Sequence, residues 1–164
     1  MSVSINIMWI VITKMIVILL LIFIVPKTRI REACVNFTFL QTLTWVTGVV
    51  LAQYDIVKSP FRLFPKATSQ NFFNDFIIYP AISVLFYFLF PHKKKRNIQC
   101  FFVIAFAFMI SLYDLSVVSF TDLKRYIHWN FINHFITAVI FNVGALWFTK
   151  WFFKKPIGTK KVEL

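Results

Sequence analysis

The chain has 164 residues, of which 59% are hydrophobic and 15% are charged. A water-soluble domain of this size needs a larger polar share to cover its surface, so the composition predicts an integral membrane protein. The formal net charge of +12 does not indicate nucleic-acid binding. The basic residues stand in short clusters between apolar runs, and a nucleic-acid binder would gather them on one face.

Five apolar segments follow one another, and each has about the length that a helix needs to cross a bilayer. Their approximate ranges are 5–25, 33–53, 71–90, 98–118 and 131–153. The sequence therefore predicts an all-α, polytopic fold with five transmembrane helices in a single membrane domain, residues 1–164. The first segment, 5–25, is predicted to be an uncleaved anchor span, because basic residues follow it and none precede it.

Basic residues are unevenly distributed between the loops. Most of them follow the first span, follow the third span or stand in the C-terminal segment from Lys150 onward, which includes the basic tail at 156–164. The positive-inside rule then predicts a cytoplasmic C-terminus and an outside N-terminus, with anionic lipid headgroups contacting the cytoplasmic side. Cys34 and Cys100 fall near that reducing side, and we expect buried thiols without a disulfide.

Lys14 lies near the centre of the first predicted span. Its side chain can extend toward the nearer membrane surface, which is the simpler interpretation. Alternatively, it pairs with an acid of another span, such as Asp75 or Asp114.

Small residues recur on one face of the second span, with Gly48 and Ala52 four positions apart. Ala107 and Ser111 have the same spacing in the fourth span. Such positions let helices approach closely, so these four residues are predicted helix-packing positions. A pore lining is the alternative interpretation of the face that carries Gly48 and Ala52.

The two halves of the chain align when one is shifted by 59 residues. "NFFNDFI" at 71–77 then matches "NFINHFI" at 130–136, and Tyr54-Asp55 matches Tyr113-Asp114. This offset predicts two tandem helical hairpins of the same orientation, 33–95 and 96–155, related by an axis along the membrane normal.

Polar residues mark the outer end of each predicted hairpin. Aspartates are expected to close the outgoing helices, and asparagines to open the returning ones as N-caps. The candidate residues are Asp55, Asn74, Asp75, Asp114, Asn133 and His134. They are interpreted either as caps and helix-joining groups or as one outer vestibule for a cation, water or a small solute.

The segment "NDFIIYPAISVLFYFLFP" at 74–91, together with Tyr54-Asp55 and Arg31-Glu32, carries a resemblance. It resembles an uncharacterised family of small multi-spanning membrane proteins from spore-forming Gram-positive bacteria. Those proteins share an early basic-acidic pair, an aspartate that ends a span and a tyrosine-proline step in the next span. The resemblance implies a bacterial plasma membrane and implies no activity.

The sequence carries no histidine-glutamate metal motif, nucleophile elbow or phosphate loop. It therefore predicts no enzymatic activity, no cofactor and no metal site. We expect an accessory or assembly subunit that contacts a membrane-protein partner, or its own copies, through its helices. The alternative is a small permease or a cation- or solute-binding component that uses the outer vestibule.

Overall fold

The computed structural model describes residues 3–62, 66 and 70–154, and most of these are helical. The predicted tail at 156–164 and residue 155, the end of the second predicted hairpin, lie outside the described residues. The helices are α1 (Val3–Ile24), a 3₁₀ turn (Lys27–Arg29), α2 (Ile30–Gln53), a π-helical turn (Asn74–Ile78), α3 (Tyr79–Leu89), α4 (Arg96–Phe120) and α5 (Phe131–Phe152). Two short strands, β1 (Val57–Lys58) and β2 (Arg125–Tyr126), lie in the connections.

Within the described part of the chain, four helices are long and apolar enough to cross a membrane: α1, α2, α4 and α5. The remaining apolar helix, Asn74–Leu89, is shorter. The all-α prediction is therefore confirmed, and so is the presence of several helices of membrane-crossing length. The short helix corresponds to the predicted third span.

This short helix lies at the centre of the bundle. Most side chains of α3 are buried, and the helix packs against α1, α2 and α5. Phe86 is 1% exposed, and its ring contacts Phe102 of α4 in a tilted orientation and Phe106 of α4 edge to face. A helix that is apolar around its whole circumference can be covered on every side in this way. The outer helices keep their other faces exposed and apolar, as lipid contact requires.

Buried polar contacts hold the bundle together near the end where α5 terminates. Asn36 of α2 donates to Thr149 of α5 at 3.0 Å, and both side chains are fully buried. Glu32 accepts hydrogen bonds from Arg29 and from the hydroxyl of Tyr87. These contacts join α2 to α5 and to α3.

At the opposite end, the connections that follow α2 and α4 form one layer, which we call the loop layer (residues 54–62 and 121–130). Its strands pair antiparallel, with Val57 opposite Tyr126. Phe61 N–H donates to the carbonyl of Asp122 at 2.8 Å, which fixes the two connections together. The loop layer covers the ends of the helices.

Two sequence predictions and one alternative interpretation, the pairing of Lys14 with an acid, fail in the fold. Cys34 and Cys100 are exposed, not buried, because each stands on a face of its helix that no other helix covers. Lys14 makes no ion pair among the described residues, and its ammonium lies 4.8 Å from the ring centre of Phe73. Asp114 does not end its helix, because α4 continues through an apolar stretch to Phe120.

Candidate functional site

The most buried charge of the bundle is Asp114 of α4, with 0% of its surface exposed. Lys124 of the loop layer donates to its carboxylate at 2.8 Å, and the hydroxyls of Tyr79 and Tyr126 donate to it as well. A carboxylate in an apolar bundle persists only with a counter-charge and hydrogen-bond donors, and these three groups supply both. Burial, reinforced by the adjacent Asp114 charge, raises the pKa of the Tyr126 phenol, so this hydroxyl keeps its proton.

His134 of α5 lies beside this ion pair. Its Nδ1 is 3.1 Å from the hydroxyl of Ser111, and its Nε2 is 3.7 Å from the Asp114 carboxylate. The single hydroxyl proton of Ser111 is donated to the carbonyl of Ala107, so Ser111 must accept from Nδ1–H. The Nε2 distance is too long for a hydrogen bond. The contacts therefore fit a neutral imidazole with its proton on Nδ1.

The π-helical turn before α3 frees two backbone carbonyls. Tyr79 N–H donates to Asn74, one residue further back than in an α-helix, and Pro80 has no N–H to offer. The carbonyls of Asp75 and Phe76 thus lose their usual partners. Side chains of α2 replace them: Thr44 donates to the first carbonyl, and Gln41 donates to the second at 3.0 Å. These two hydrogen bonds hold the π-helical turn, and with it Asp75, against α2.

Two polar side chains from outside α2 approach this helix closely at Gly48. A Cβ atom at this position would lie 2.0 Å from Oε1 of Gln70 and 3.1 Å from Oδ2 of Asp75. The sequence predicted that a helix packs against Gly48. In the structure, the free space beside this glycine is taken by two polar side chains, one from the connection before α3 and one from the π-helical turn.

A cavity of about 90 Å³ lies between α2, α3, α5 and the loop layer. Its lining is mixed, with apolar side chains of α2 and α5 next to ionisable, amide and hydroxyl groups. The polar residues of the lining include Thr47, Asp75, Tyr79, Lys124, His134 and Asn142. The volume is enough for a few water molecules or a small solute.

The structure brings some of the predicted site residues together. Asp75 and His134 line the cavity, and Asp114 adjoins it through Lys124. Asn74 is buried behind the cavity, where Tyr113 donates to it at 3.2 Å.

Two predicted site residues lie elsewhere. Asp55 follows α2 with a φ of 53°, and its exposed carboxylate pairs with Lys58 at 3.0 Å. Asn133 lies in the first turn of α5 and is not part of the cavity lining.

The predicted caps are present at both returning helices. Asn130 accepts from the N–H of Asn133 at 2.9 Å, and Asn71 accepts from the N–H of Asn74 at 3.4 Å. The capping prediction is confirmed for these two asparagines. Each cap fixes the first turn of a helix, and the next turn then carries Asp75 or His134 into the cavity wall.

The predicted helix-packing residues make their contacts within this chain. Ala52 lines the cavity with Gly48. Ala107 and Ser111 are 2% and 1% exposed, respectively, on the face of α4 toward α5.

Sequence reasoning missed the partners of Asp114. Lys124 and Tyr126 stand in a connection, where a lysine indicates topology and a tyrosine indicates an interfacial anchor. The available signal was the short distance along the chain from Asp114 to Lys124, which allows the loop to fold back onto α4.

Comparisons of the chain with protein-family models, with curated proteins and with solved structures found no match. Among the described residues, no three His, Cys, Asp or Glu side chains are grouped as a metal site would require.

Proposed function

We propose that this chain is a bacterial plasma-membrane protein of five spans that binds a small polar solute in its cavity, as a permease or as a solute-binding component. In this arrangement α3 also crosses the membrane, as the third of the five spans in chain order. The loop layer faces the non-cytoplasmic side. The distribution of basic residues supports that orientation, because the connections at the opposite end carry more basic residues than the connections on the side of the loop layer.

The observation that carries the proposal is the cavity itself. Ionisable side chains inside a membrane bundle are costly and are usually associated with a solute or ion path. Here they come from α3, α5 and the loop layer and surround one space of about 90 Å³. Groups that only joined helices would be expected to fill that space with direct contacts.

The same geometry weighs against an accessory subunit as the first choice. Such a subunit needs a face of small residues that is free for a partner helix. Gly48 is occupied by Gln70 and Asp75, while Ala107 and Ser111 are buried within the chain. The expected absence of catalysis stays part of the proposal, since binding in this cavity requires no covalent step.

Cysteine accessibility tests the cavity with two neighbouring positions of one helix. Thr47 lines the cavity, whereas Val46 at nearly the same depth is 55% exposed on the outer surface of the bundle, where lipid covers it. In a background with Cys34→Ser and Cys100→Ser, we expect Thr47→Cys to react with Ag⁺ added outside the cell as the nitrate, because this thiol-reactive ion is small enough for the cavity. Val46→Cys should not react, because the reagent does not enter hydrocarbon.

Equal reactivity at both positions, or none at Thr47→Cys, would contradict an aqueous cavity. Reaction of Thr47→Cys only from the cytoplasmic side of inverted vesicles would keep the cavity and reverse the proposed orientation. Co-purification of a stoichiometric membrane partner in mild detergent would instead favour the accessory subunit.

A further inference from the structure

We infer that the solute is a small monovalent cation and that the Asp75 carboxylate is its charged ligand. This inference rests on the proposed function, because it names the class of solute that the same cavity takes. Three independent observations support it: the charge of the lining, the direction of its hydrogen bonds and an unpaired oxygen in the Asn142 side chain.

One ionisable group around the cavity, the Asp75 carboxyl, has no counter-charge in direct contact among the described residues. Lys124 is neutralised by Asp114 at 2.8 Å, and the contacts of His134 fit the neutral ring. Asp75 remains, and among the described residues no side chain donates a hydrogen bond to its carboxylate or forms an ion pair with it. An ionised carboxylate at this depth requires a partner, and the adjoining space can hold one.

Three hydrogen-bond donors of the lining are already used. Tyr79 donates to Asp114, Nδ1–H of His134 donates to Ser111, and the amide of Asn142 donates to the carbonyl of Ala138 at 2.8 Å. A bound anion could not use these three donors. A cation needs acceptors, and the Asp75 carboxylate is an acceptor without a partner.

Asn142 supplies a second unpaired acceptor. This residue is 5% exposed and lines the cavity, and its Oδ1 is buried without a hydrogen-bond partner. It stands eight residues after His134 on α5, which is about 12 Å further along the helix axis. Asp75 and Asn142 therefore give the cavity lining two acceptors on separate elements, as a path for a cation would have.

The chemistry of these acceptors selects the type of cation. Carboxylate, amide and hydroxyl oxygens are ligands for hard cations such as alkali and alkaline-earth ions, not for soft transition metals. A single uncompensated negative charge balances a monovalent ion. The volume of about 90 Å³ leaves room for Na⁺ or K⁺ with part of its water shell.

Thermal unfolding of the purified full-length protein in detergent tests this inference. The probes are NaCl and KCl, compared with N-methyl-D-glucamine chloride at equal ionic strength, whose cation is too large for the cavity. We expect Na⁺ or K⁺ to raise the Tm by about 5 °C at a concentration one hundred times Kd. The same shift is expected for the matched control Asp55→Asn, which removes an exposed carboxylate outside the cavity.

Asp75→Asn should abolish the shift, and Asn142→Ala should reduce it. The first variant removes an unpaired charge, so its Tm in N-methyl-D-glucamine should equal or exceed that of the unmodified protein. Binding of ²²Na⁺ or ⁸⁶Rb⁺ to the same samples gives a readout that does not depend on stability.

An equal shift in Asp75→Asn and in the unmodified protein would overturn the inference, because the cation would then act elsewhere. The absence of any shift or isotope binding, with Thr47→Cys still reactive, would also overturn it and leave the aqueous cavity in place. If Thr47→Cys is unreactive, the proposed function fails first.

Discussion

Asp55 and Asp114 occupy equivalent positions when the two halves of the sequence are aligned, yet their environments are opposite. Asp55 lies just beyond the end of α2 with its side chain 71% exposed, and it pairs with the neighbouring Lys58. Asp114 lies inside α4 with 0% exposed and binds Lys124 and two tyrosines. The difference shows that a residue in a repeated motif acquires its role from the groups that the next connection brings to it.

The next aligned pair shows the opposite case, in which different residues share one environment. Asp75 and His134 align at the same offset and differ in chemistry, yet both line one cavity. Each follows an asparagine cap by one turn, so the local geometry of the two helix starts is alike. The caps keep the two side chains at equivalent positions, while the charge of these side chains differs between the halves. The Asp75 carboxylate consequently has no second carboxylate at the aligned position, which is His134.

Removing the charge of Asp114 should have the largest effect. Asp114→Asn leaves the Lys124 ammonium buried without a counter-charge, and breaking a buried pair in this way costs about 3–5 kcal/mol. The matched Asp55→Asn should change stability little, because its pair is exposed. Denaturant unfolding in detergent micelles measures both. Equal losses in the two variants would mean that the two aspartates are not in different environments.

Tyr126→Phe should have the next largest effect, since it removes one donor to the Asp114 carboxylate. Loss of a hydrogen bond to a charged group destabilises by about 1.5–3 kcal/mol. Tyr54 is 72% exposed, so Tyr54→Phe is the matched control and should leave the unfolding midpoint unchanged. A null result for Tyr126→Phe would show that Lys124 and Tyr79 suffice for the carboxylate.

Gly48→Ala compares the packing of the two halves of the sequence, since the second half already has an alanine at the aligned position, Ala107. A Cβ at residue 48 would displace the Gln70 side chain, and we expect a loss of about 1–2 kcal/mol. Gly144→Ala in α5 meets nothing within 4 Å and should stabilise its helix by up to about 1 kcal/mol. The same sign for both substitutions would contradict this contrast.

The caps should give the smallest effect. Asn130→Ala removes an N-cap and should destabilise by about 1 kcal/mol. Asn71→Ala should cost at least as much, because the Asn71 side chain also donates to the carbonyl of Leu123 at 3.2 Å. Unfolding curves of the two single variants test this order. A larger loss for Asn130→Ala would indicate that the contact with Leu123 contributes nothing.

The sequence by itself determined the all-α class, the positions of the helices and the asparagine caps. These features depend on local properties: the length of apolar runs and the hydrogen-bonding capacity of a residue beside a helix start. It also placed Asp75, Asp114 and His134 in one candidate group, because Asp114 aligns with Asp55 and His134 with Asp75 at the same offset.

Only the tertiary structure decided which polar groups meet. The pairing of Asp114 with Lys124, the replacement of the Phe76 carbonyl's partner by Gln41 and the exposure of Asp55 all depend on contacts between separate elements. Such contacts are set by how helices and connections pack, and neither hydropathy nor local propensity encodes them. The Asp75 carboxylate, which has no direct partner among the described residues, became visible for the same reason: a missing partner is recognised only from the positions of the surrounding side chains.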